Sequence, residues 1–243
     1  MMSEAIVKEI PPMNRRNLLL ALAAAGLDLK AQEPPPGSLY IPKPQLVEDR
    51  KFLQDFMDEF AFADLITASP GIRITHIPTV LNRTAAPYGT IFGHISRQNL
   101  QSKCFDGSQP AVIVFRGPHS YISPTWYTKP EAVPTWNFAV VHATGRPKPI
   151  TDPKALHGLL AQLIAKFEGP GSGYDFAKLP ESYTNGLIGG IVGFQMQIEL
   201  LEGKCKLGQE RGEADKQAIL KNLQSAKGAR SMYEFTADFY KRG

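Results

Sequence analysis

The sequence predicts a mainly β protein with flanking helices, an α+β chain built on a small, mostly antiparallel barrel. Three observations point there. Six or so apolar segments of strand length are joined mostly by short turns. Helical patterns gather at the start, middle and end, so strands and helices do not alternate strictly, which disfavours a doubly wound parallel sheet. Hydrophobic residues make up 43% of the 243 and charged residues 21%, enough for a sizeable core and too little charge for global disorder.

The first segment concerns targeting. Residues 14–31 read NRRNLLLALAAAGLDLKA, with Arg15 and Arg16 followed by an apolar run and Ala31 near a proline cluster. A charged start, a short apolar centre and a small residue at the end form a secretory signal, and the paired arginines resemble the twin-arginine type. This reading predicts a targeting segment at 1–31 and export to the periplasm. An amphipathic helix on a cytoplasmic protein is the alternative. Residues 32–38 read as a linker, and 39–243 as the domain.

A helix is expected over about 44–60, with Leu46, Leu53, Phe56, Met57 and Phe60 on one face. Strands follow at Asp64–Ala68 and Ile72–Leu81, with Gly71 marking a hairpin turn, and at Thr90–Ile95. Ala111–Phe115 and Phe138–Thr144 read as two buried strands. Between them, GPHSYISPTWY (117–127) and VPTWN (133–137) read as a rigid loop rich in planar and hydroxylated side chains, suited to a flat polar ligand. Thr151-Asp152-Pro153 opens a helix that Gly169 closes. Asp175–Leu187 is irregular or helical. Ile191–Leu200 alternates apolar and polar residues and is the clearest strand. A helix near 213–225 and one more short helix in the tail complete the chain.

Composition and motifs exclude several function classes. No run reaches the eighteen or so apolar residues of a membrane span. The net charge of +4 is spread without a basic face, which leaves nucleic-acid binding open. Cys104 and Cys205 lack metal-type spacing and read as unpaired thiols, a disulfide being open only to an exported protein. No histidine pair has helical ligand spacing. Gly-x-Ser-x-Gly, the phosphate loop and the dinucleotide glycine motif are all absent. Any phosphate would be held by side chains, and GHISRQN (93–99) offers His94, Ser96, Arg97 and Asn99 at a strand end. Lys206 is a second candidate cation.

Six motifs together resemble a known family: LYIPKP (39–44), THIP (75–78), GTIFGHISRQN (89–99), AVIVFRGPHSYISPTWY (111–127), VPTWNFAVVHATG (133–145) and IVGFQMQIELLEGKCKLGQ (191–209). The family is the PaiB-like FMN-binding negative transcriptional regulators, within the flavin-binding split β-barrel superfamily. The resemblance implies a homodimer with FMN in a groove between subunits. It implies Arg97 and Asn99, with His94 near, at the phosphate and ribityl end. Thr135, Trp136 and Asn137, with Ser123 and Trp126, would line the isoalloxazine. Lys206 and Gln209 would close the site from the same or the second subunit. The chain departs from the family at Leu100, where Pro is usual, and at Gly208 and Glu210, where Ser and Asn are usual. Two functions follow as expectations: a flavoprotein with redox activity, and an FMN-binding regulator without a recognisable DNA-binding motif.

Overall fold

A computed structural model describes residues 37–241 apart from 86, 129–131, 170 and 226–229. The expected targeting segment and most of the linker lie outside the described residues. Among the described residues, eight strands form one antiparallel sheet: β1 (Leu46–Val47), β2 (Phe62–Thr67), β3 (Arg73–Pro78), β4 (Val80–Asn82), β5 (Thr90–Ser96), β6 (Ala111–Ile122), β7 (Thr135–Ile150) and β8 (Ile191–Lys206). Their order is β3-β2-β6-β7-β8-β5-β4, with β1 added on β8. Five α-helices among the described residues flank the sheet: α1 (Arg50–Glu59), α2 (Pro153–Glu168), α3 (Glu181–Gly189), α4 (Glu213–Ser225) and α5 (Arg230–Tyr240). The sheet curls until β3 lies near β5 without pairing to it. That gap is the split of the barrel.

The alternation of apolar residues fixes which face is inside. Leu65, Ile77, Ile113, Phe115, Phe194 and Met196 are buried and meet in one core. Helix α1 closes the core with Phe52, Leu53, Phe56 and Met57, each buried. Burial of each such side chain contributes about 1.5–3 kcal/mol. Asp49 caps α1 by accepting from the backbone N–H groups of Lys51 and Phe52. Helix α2 covers the other side of β8 through Leu156, Leu159 and Leu163.

Several expected elements change shape for local reasons. The helix expected from 44 begins at Arg50, because Pro44 sits in a 3-10 turn and Leu46–Val47 is drawn into pairing with β8. The single strand expected over 72–81 divides after Pro78. Before it β3 pairs with β2, and after it β4 pairs with β5. The largest change concerns the loop expected over 117–127. Residues 117–122 instead prolong β6, with a bulge between Arg116 and His119, and pair with the start of β7. The bulge lets Gly117 pass the Phe56 ring, where a Cβ would come within 2.7 Å. Strand β8 also runs past Leu200 to Lys206. Gly203 permits this, since a Cβ there would lie 2.2 Å from Leu53 Cδ2.

Candidate functional site

The expected site residues fall into two groups at opposite ends of the long strands. The first group surrounds the split. A cleft of about 550 Å3 lies between β3, β5 and the end of α3, lined by Thr75, His76, His94, Ser96, Leu187 and Ile191, among others. His94 is largely buried, and burial lowers its pKa, favouring the neutral imidazole. Its Nδ1 is buried without a hydrogen-bond partner. Asn99 caps the turn Leu100–Cys104 through its Oδ1 and donates to Thr75 Oγ1 at 2.9 Å. Thr75 in turn bonds the fully buried Gln101, which donates to the carbonyls of Leu65 and Arg73. Asn99 therefore organises the floor beside the cleft.

Arg97 stands at the end of β5. Its Nε donates to Gly189 O at 2.6 Å and its Nη2 to Ile191 O at 2.8 Å. Its own N–H bonds Gly190 O at 2.9 Å. The guanidinium thus holds the turn between α3 and β8, and Nη1 is the atom left over for an anion. Two parallel bonds to a phosphate through Nε and Nη2 would require that turn to be released.

The second group sits where β6, β7 and β8 end. Thr135, Trp136 and Asn137 open β7 and pair with Ile122, Tyr121 and Ser120. Lys206 Nζ donates to Thr135 Oγ1 at 2.7 Å. Trp136 is 54% exposed, with Tyr121 packed edge-on at 5.9 Å between ring centroids. Asn137 is buried, and its Nδ2 has no partner. Ser123 caps the short turn Pro124–Trp126, and Trp126 leans on the core. Gln209 accepts from Leu207 N and donates to Pro44 O and Cys205 O, which shapes the turn after β8. Gly208 in that turn has φ +75°, a left-handed conformation that suits glycine better than serine.

Among the described residues, no hydrogen bond joins the two groups. His94 faces Gly193 on β8, whereas Lys206 lies thirteen residues further along. That is about 40 Å of extended strand. One chain brings Thr135, Lys206, Trp136 and Asn137 together, and it separately brings His94, Asn99 and Thr75 together.

Sequence reasoning missed a linked set of three residues, of which His76 lines the cleft. His76 Nδ1 is hydrogen-bonded to Asp64 Oδ1, and Asp64 Oδ2 is ion-paired to Arg116 at 2.8 Å. The signal was available: a hairpin turning near Gly71 sets Asp64 opposite His76. Arg73 adds a further buried Nε without a partner near the same floor.

These features fit a flavin nucleotide. The cleft volume lies within the usual range for small ligands. Orphaned buried donors and acceptors await a polar ligand, and an exposed tryptophan offers a planar face. A split antiparallel barrel with such groups is suited to holding a flavin. The chain matches, over residues 39–200, a family described as "Putative FMN-binding domain", and it belongs to that family. It is 30% identical over 207 residues to the "Protease synthase and sporulation protein PAI 2" of Bacillus subtilis, covering 84% of this chain and 99% of the relative. The fold is shared with the flavocytochrome Anf3 of Azotobacter vinelandii, at a TM-score of 0.54 and 15% identity, over 72% of this chain and 77% of that one. It is also shared with the FAD and heme binding protein of Mycobacterium smegmatis, at 0.52 and 17%, over 72% and 80%. The protein is an FMN-binding protein of the split-barrel type, and the PaiB-like resemblance read from its motifs holds.

Proposed function

We propose that the chain works as a homodimeric flavoprotein, with each FMN held between two copies and used for redox chemistry. One observation carries this reading: the residues suited to FMN form two half-sites at opposite ends of one chain. A second copy turned by a two-fold axis places the Lys206 end of one barrel against the β3–β5 cleft of the other. The outer face of β2 and β3 supports such a partner. Phe62 is 68% exposed there and Ile74 56%, apolar surface that a second barrel would cover.

In this arrangement His94 and Asn99 line the phosphate and ribityl end, and Arg97 steadies the turn above it. Thr135, Lys206 and Asn137 of the other copy donate to the polar edge of the ring, and Trp136 covers its face. FMN supplies the electron chemistry when bound, and the protein supplies position and exclusion of water. The test is the visible spectrum of the purified full chain with its mass in solution. A dimer with flavin bands close to one per chain supports the reading. A colourless protein that ignores added FMN overturns it.

A regulatory role is the second reading, favoured by the resemblance of the motifs to the PaiB-like FMN-binding negative transcriptional regulators. Localisation separates the two. Residues 14–31 are proposed to direct twin-arginine export, which would rule out action on transcription. Replacing Arg15 and Arg16 by Lys should retain the protein inside the cell, and an unchanged distribution would remove the export proposal.

A further inference from the structure

Helices α1 and α5 meet in a pattern that the flavin site does not use. At the end of α1 the pairs Asp55-Phe56 and Glu59-Phe60 stand four residues apart. On α5 the pairs Glu234-Phe235 and Asp238-Phe239 repeat that spacing. Residues four apart share one face of a helix, so each helix carries a phenylalanine stripe edged by carboxylates. The phenylalanine stripes meet. Phe56 lies 5.8 Å from Phe235 between ring centroids, and Phe52 lies 5.8 Å from Phe239. Beside them, against Pro118 of β6, is a cavity of about 310 Å3.

The cavity wall consists of phenylalanine, proline and carboxylate side chains, and no Lys, Arg or His among the described residues lines it. Phe60, Phe235 and Phe239 are only half-buried, which leaves ring surface open to a ligand. Helix packing alone does not call for the carboxylates. Like charges four apart on a helix repel, and two such pairs border the same cavity. Lys51 and Arg83 pair with Asp55, and Lys241 pairs with Asp238, all from outside the wall. Glu59 has no hydrogen bond or ion pair among the described residues. The faces of the rings carry partial negative charge, and the carboxylates add full charge at their edge. With no side-chain donor in the wall, an anion or a neutral polar molecule finds nothing to bind it. A methylated ammonium has no N–H to satisfy and presents a charged apolar surface, which phenyl faces match.

We propose that this cavity binds a small organic cation bearing a methylated ammonium group, of the choline type. The rings of Phe60, Phe235 and Phe239 hold the head, and Glu59 supplies countercharge. The site stands apart from the flavin reading and does not depend on it.

The test is calorimetric titration of the full chain with choline and, separately, with its uncharged isostere 3,3-dimethylbutan-1-ol. Choline should bind about tenfold more tightly than the alcohol. Glu59→Gln alters an exposed position, and Phe60→Leu keeps apolar volume while removing a ring face. Each should weaken choline several-fold and the alcohol little. Phosphocholine brings a phosphate against the carboxylates and should bind more weakly than choline, which separates a free cation from a lipid headgroup. Where Phe60→Leu does not fold, Glu59→Gln and the wild-type comparison decide. No binding of choline by wild type, or equal affinity for choline and the alcohol, would overturn the proposal. So would choline binding that Glu59→Gln leaves unchanged, or phosphocholine binding as tight as choline.

Discussion

Replacing Arg97 by Ala should destabilise the flavin-free protein as well as weaken its flavin binding. Two side-chain bonds, at 2.6 and 2.8 Å, hold the carbonyls of Gly189 and Ile191. Hydrogen bonds from charged donors contribute about 1.5–3 kcal/mol each, and solvent exposure here reduces that to about 1 kcal/mol each. The expected loss is then about 2 kcal/mol. For a domain of this size each kcal/mol moves Tm by about 2–4 °C, which gives a fall of about 4–8 °C. Calorimetry on protein stripped of flavin measures it, and Arg97→Lys should lie between the two because an ammonium cannot span both carbonyls in the same plane. A Tm within 1 °C or so of wild type, with FMN affinity lost, would refute the argument. It would return the guanidinium to the phosphate role that the GHISRQN motif suggests.

Other expectations follow from particular contacts. Gly203→Ala drives a Cβ to 2.2 Å from Leu53 Cδ2 and 3.1 Å from Val47 O. Overpacking of that kind costs about 1–3 kcal/mol, to be read from the urea midpoint at unchanged slope. Cys205 is buried and its thiol is pushed up to about 12, so iodoacetamide at pH 8 should leave it intact until the protein is unfolded. Burial lowers the pKa of both His94 and His142, with Glu202 partly opposing the second. The unfolded chain therefore binds more protons as pH falls below the ordinary imidazole range. Stability should drop from there down to the folded-state values. Urea midpoints at pH 7.5 and 5.5 test this, and His94→Gln with His142→Gln should flatten the difference.

The fold was legible where a local pattern had only one way to pack. The period of two in Ile191–Leu200 and the capped, leucine-faced helix from Pro153 both survive as expected. Boundaries failed where tertiary pairing overrode local signals. Gly117, Pro118 and Ser120 look like loop residues, yet the bulge on β6 absorbs them into a strand because β7 offers partners for the backbone. The site was legible as residue types and not as a place. Thr135 and Lys206 are 71 apart in sequence and share a hydrogen bond. Asp64 and His76 needed the β2–β3 register before they formed a pair. Arg97 looks like a free cation in sequence. Only the path of α3 into β8 shows that two carbonyls already claim it.

The central claim is that one FMN site draws on both copies, and mixed dimers test it most directly. Arg97→Ala lies at the cleft half and Lys206→Met at the other half, and each homodimer should bind FMN weakly. A purified heterodimer carrying one variant per chain has one site with both defects and one with neither. It should recover about half of the wild-type flavin, at wild-type affinity. A heterodimer that binds no better than either parent would contradict the shared site and place both halves of the flavin within a single chain.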